Sequence, residues 1–162
     1  MIIMKARAKK TWPCVHTGPL VEFLLGIYPE GIPLADLSSK LGVSVSVISN
    51  SFRVDNMHLS RAEAIAKVYG YDLRLIYRYR GQYPSDSVYT PSRNVGNIYG
   101  IEEYCQRLKR TYHFIATNAG FNGRALASAI NKGDIMLDRL NRISTCLGLS
   151  IDWVFIKKDD VQ

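Results

Sequence analysis

Two stretches of this sequence carry one pattern of glycines and apolar residues, and that repeat limits the folds open to the chain more than any other feature. The first reads LADLSSKLGVSVSVISNSF followed by LSRAEAIAKVYGYDL. The second reads HFIATNAGFNGRALASAIN followed by LDRLNRISTCLGLSI. Gly42 and Gly120 hold equivalent places 78 residues apart, and each is followed 28 residues later by another glycine, Gly70 and Gly148. Apolar positions coincide at the same offset: Ile48 with Leu126, Leu59 with Leu137, Ile65 with Ile143, Tyr69 with Leu147, Leu73 with Ile151. A repeat of this length means one supersecondary unit used twice.

Each copy has a local reading. Leu34, Leu37, Ser38 and Leu41 recur at helical spacing, so a helix is expected over Leu34–Leu41. Pro33 suits its first turn, and Gly42 supplies the positive φ that a tight turn needs. Val43 then plugs the turn and Ser44 caps a second helix, with Val47, Ile48 and Phe52 inward and Val45, Ser46, Ser49, Asn50 and Arg53 outward. In the second copy Thr111 caps a helix with Ile115 and Ala116 inward. Gly120 turns, Phe121 plugs and Asn122 caps. Leu126 and Ala129 or Ile130 face in, while Gly123, Arg124, Ser128, Asn131 and Lys132 face out. A further helix follows each pair, capped by Ser60 in the first copy and beginning near Asp138 in the second.

Helix, glycine turn, capped helix is the order of a helix-turn-helix. LSSKLGVSVSVIS resembles the LA-x-x-LGVS-x-x-x-IS core of the phage-repressor, Cro and Xre family, and LGLSIDWVF resembles that family's closing segment. The resemblance covers about residues 33–76 and 101–156. It implies an all-α fold of two tandem four- or five-helix domains and a sequence-specific double-stranded DNA-binding protein, a transcriptional regulator of bacterial or phage type. The alternative it leaves is an interaction or structural module that keeps the fold without binding DNA in one or both halves. In the family's docking mode the second helix lies in the major groove. Val45, Ser46, Ser49 and Asn50, and Arg124 and Ser128, would then stand toward base edges. Ser44, Arg53, Thr111, Tyr112, His113, Asn122, Asn131 and Lys132 would stand toward phosphate or cap the helices that do. Phe52 and Ile130 occupy a place where family members often carry Glu, and Gly123 occupies a base-reading position.

Residues 71–80 alternate Leu73, Leu75, Tyr77 and Tyr79 with Arg74, Arg78 and Arg80. Period-two alternation predicts a short strand over 72–80 after the first domain. A lone strand needs a partner, and three are open: a second copy of the chain, giving a homodimer, residues 88–89, or Trp153–Lys157. The expected organisation is a basic arm over 1–17, a first domain over 18–80, a linker over 81–97 and a second domain over 98–162.

Charge is uneven. Of the formal net +7, the arm supplies four through Lys5, Arg7, Lys9 and Lys10, and both domains are only mildly basic. The arm reads either as a solvated tail or as a segment lying on phosphates. Cys14, Cys105 and Cys146 are an odd, widely spaced set without C-x-x-C, so no disulfide framework, metal site or cofactor is expected, and Cys105 and Cys146 read as core positions. Paired acid/base groups, a phosphate-cradling glycine loop and H-E-x-x-H are missing, so no enzyme activity or catalytic residue is expected. No apolar run reaches bilayer length and the N-terminus lacks a signal pattern, so the cytoplasm is the expected location and no membrane partner is expected.

Overall fold

The structure, a computed structural model, describes residues 2–5, 18–79 and 111–160, with isolated positions between 98 and 109. Strand β1 covers Ile2–Lys5. Helices α1 (Pro19–Ile27), α2 (Leu34–Leu41), α3 (Val45–Val54) and α4 (Leu59–Val68) follow, then β2 (Tyr71–Tyr79). After these come α5 (Tyr112–Asn118), α6 (Gly123–Lys132), α7 (Leu137–Cys146), β3 (Leu149–Lys157) and a short 3-10 turn, Lys158–Asp160. The three strands make one sheet in the order β1-β3-β2. Lys158 N–H donates to the Gly70 carbonyl, and Arg78 bonds Asp152, so residue numbers run in opposite senses along the β2–β3 pair and it is antiparallel.

The fold is therefore mixed α/β, and the all-α expectation is corrected. The cause lies in β3. Its burial runs unbroken from Ile151 to Phe155, Asp152 included, and the alternation of Leu149-Ser150-Ile151-Asp152-Trp153 breaks at Val154-Phe155-Ile156, so no period-two pattern runs its length. Of the three partners open to the 72–80 strand, β3 of the same chain is the one observed; residues 88–89 and the linker 81–97 lie outside the described residues. The backbone of Ile2–Lys5 is a strand beside β3, not a free tail. The rest of the arm, Cys14 included, is outside the described residues.

The 78-residue offset holds for the elements themselves. It carries Val45–Val54 onto Gly123–Lys132, Leu59–Val68 onto Leu137–Cys146, and Tyr71–Tyr79 onto Leu149–Lys157, end for end. Core positions follow it: Leu37 and Ile115, Ile48 and Leu126, Phe52 and Ile130, Leu75 and Trp153, Tyr77 and Phe155 are all buried. Ile98 and Ile101, fully buried, stand at the places of Leu20 and Phe23 in α1.

The chain divides into two compact units, of which the first is discontinuous in sequence. The first holds residues up to Arg74 together with those from Trp153 onward; the second runs from Leu75 to Asp152. In the first unit Phe23 of α1 stacks on Phe155 of β3, with ring centroids 3.9 Å apart and planes 3° from parallel. Tyr71 meets Phe23 edge-on at 4.8 Å. These rings close the first helical core with residues 153–157, which the sequence assigns to the second domain. In the second unit Asp152, 4% exposed, is bonded by the Arg78 guanidinium. That partner makes the burial of a carboxylate tolerable. Among the described residues no helix is long and apolar enough to cross a membrane.

Candidate nucleic-acid interface

Each unit presents a helix, a short turn (residues 42–44 in the first, 119–122 in the second) and a second helix with a side-chain cap at its start. In the first, α2 ends at Gly42 in the left-handed region, φ 70° and ψ 26°. The Ser38 hydroxyl donates to the Val43 carbonyl and ties the end of α2 to the turn. Ser44 caps α3, its Oγ accepting the Val47 N–H at 3.3 Å and lying 3.2 Å from Ser46 Oγ. In the second, Thr111 Oγ1 accepts the Phe114 N–H at 3.1 Å and Asn122 Oδ1 accepts the Arg124 N–H at 2.7 Å. Gly120 turns at φ 86°. Phe121 sits over the turn with the Arg139 guanidinium 5.8 Å from its ring centre.

The outward set expected on α3 is largely where the sequence places it. Ser44, Val45, Ser46, Asn50 and Arg53 are exposed and Ser49 is half-buried. Arg53 Nη2 donates to Asn50 Oδ1 at 2.6 Å, which aims the carboxamide and identifies its oxygen. On α6 Arg124, Ser128, Asn131 and Lys132 are exposed, as are Thr111, His113 and Asn122; Tyr112 is half-buried. Each unit spreads its own set along its second helix, from the caps Ser44 and Asn122 to Arg53 and Lys132 in the last turns.

Four expectations are corrected. Val47 is 42% exposed, not inward, because the buried face of α3 runs through Ile48, Ser51 and Phe52 and Val47 falls at its edge. Cys146 is exposed, at the end of α7, not a core position; Cys105 lies outside the described residues. Ser60 and Asp138 do not open their helices: α4 starts at Leu59 and α7 at Leu137, after His58 and Met136, neither of which gives a side-chain cap. Leu59 and Leu137 are buried, and their packing starts these helices where no hydroxyl does. Gly123, half-buried, is bare for a reason of packing. A Cβ there would lie 2.9 Å from His113 Cα, so its bareness lets the starts of α5 and α6 approach each other.

Sequence reasoning missed two exposed apolar side chains in this region, Val47 and Phe114, the latter 47% exposed on α5. Their periodicity fits a buried face, and only their nearness to a helix start signals otherwise. No family model, curated protein or solved structure matches the chain.

Proposed function

We propose that this chain is a double-stranded DNA-binding protein that reads sequence, a transcriptional regulator of the repressor, Cro and Xre type acting in the cytoplasm. One observation carries this reading. Two capped second helices, Val45–Val54 and Gly123–Lys132, project at the same register of a 78-residue repeat and present polar, hydrogen-bonding side chains. A capped helix start of that kind enters a major groove with its first residues on base edges, while the preceding helix start and the flanking cations hold phosphate. Arg124 supplies a forked donor and Asn50 an amide, the two side chains with the best match to guanine and adenine edges.

The test is fluorescence anisotropy of labelled duplex DNA with the intact chain over a salt series, together with selection from a random-site pool. Binding should fall linearly on a log–log plot with salt. An enriched motif should appear, and Arg124→Ala should weaken binding to it roughly fivefold to a hundredfold while relaxing one base position. No binding at low salt sinks the proposal.

A second reading, an interaction module without DNA binding, is favoured by the apolar exposure of Val45, Val47, Val54 and Phe114. It expects a protein partner captured on α3 and no salt-dependent duplex binding.

A further inference from the structure

The two projecting helices are not chemical equivalents. The start of α3 carries two valines, Val45 at 41% and Val47 at 42% exposure, and α3 has no cation before Arg53. Arg53 donates to Asn50 Oδ1, leaving the amide Nδ2 to donate and one lone pair of the oxygen to accept. An edge that matches must offer an acceptor beside a donor and something apolar nearby. Adenine N7 and N6–H2 give the first, and the thymine C5-methyl gives the second. Guanine offers N7 and O6, two acceptors, and would set O6 against the Asn50 oxygen. Helix α6 is the reverse. Arg124 stands exposed in its first turn, five donors and no acceptor, matched to guanine O6 and N7. None of the exposed large apolar residues lies on α6 among the described residues, so it has no exposed valine-sized side chain to set against a thymine methyl.

Resting on the DNA-binding reading above, we infer that α3 reads A·T pairs through methyl contact by Val45 and Val47 and an adenine contact by Asn50, whereas α6 reads a G·C pair through Arg124. The preferred site is then asymmetric, one part A·T with its methyl groups and the other containing guanine. The exposed valines are specificity-determining residues.

The experiment starts from the site enriched from a random pool by the full chain. Deoxyuridine, which lacks only the C5-methyl, replaces thymidine in one part of that site at a time, and affinity is read by anisotropy. Replacement in the A·T part should weaken binding about fourfold per contacted methyl, and replacement elsewhere should leave it unchanged. The variant V45A/V47A, both positions being exposed and alanine a strong helix former, should keep the wild-type circular dichroism, bind thymidine and deoxyuridine sites equally, and retain its preference for guanine. R124A should lose the guanine preference and keep the methyl sensitivity. A palindromic enriched site, indifference to deoxyuridine throughout, or methyl sensitivity that survives V45A/V47A overturns the inference while leaving DNA binding intact. Failure of every duplex to bind removes the parent reading, and this one with it.

Discussion

Gly42 and Gly123 show that two glycines in matching motifs can be required for different reasons. Gly42 has φ 70° with open space where a Cβ would go, so a side chain there meets only backbone strain. Gly123 has no such φ, but its Cβ would press on the backbone of His113. Gly42→Ala should therefore cost about 1–2 kcal/mol, and Gly42→Asn less, since asparagine tolerates the left-handed region. Gly123→Ala should cost on the order of 1–3 kcal/mol by overpacking, and Gly123→Asn more. Denaturant unfolding of the four variants checks this; an asparagine that rescues position 123 as well as 42 would contradict it. The sequence shows a glycine at both places and cannot tell strain from crowding. It is equally silent at Asp55, which takes φ 54° where the second copy has Gly133 at φ 70°. The same backbone shape is written with a legible residue once and an illegible one once.

Among elements, the helices were readable and the strands only half so. Helices α2 and α3 could be bounded from Pro33, Gly42 and Ser44 because each of these residues acts on its own backbone. Strand β2 announced itself because Leu73, Leu75 and Tyr77 are buried while Arg74, Ile76 and Arg78 are half-exposed. Strand β3 did not, since its alternation stops at Val154-Phe155-Ile156 and five consecutive residues are buried. Its one charge, Asp152, is held by Arg78, whose own side chain is 42% exposed. Arg78→Ala should destabilise the chain by about 1–3 kcal/mol, below the cost of orphaning a fully buried ion because solvent already reaches the arginine. Asp152→Asn should cost less than Arg78→Ala, since it removes the buried charge instead of stranding it. Thermal melts that rank the two in the opposite order would show that charge is not what the pair contributes.

For the molecule as a whole, the candidate site was more legible than the architecture. Side chains of a helix whose cap is known point where helical geometry sends them, so Ser44, Asn50, Arg53, Arg124 and Lys132 could be placed outward from spacing alone. Val47 could not, because it stands at the edge of the buried face, and how wide that face is depends on how far the core extends. The composition of the two units was also out of reach, since it depends on a pairing between residues far apart in number. That pairing carries a prediction. Both units include part of Leu149–Lys157, so a chain ending at Gly148 should lose cooperative unfolding and amide-exchange protection in α1–α4 as well as in α5–α7. Retained protection in Leu37, Ile48 and Ile65 would show that the first helices hold their core unaided.

The stacking of Phe23 on Phe155 also sets a timetable. A ribosome that has finished Arg74 must still add every residue up to Phe155 before the first unit can be closed. At ordinary elongation speeds that is roughly 4–16 s, during which Phe23 has the edge of Tyr71 but no ring stacked on its face. The nascent chain is thus at its stickiest in mid-synthesis, and expression yield should respond to elongation speed and chaperone supply more than the stability of the finished molecule would suggest.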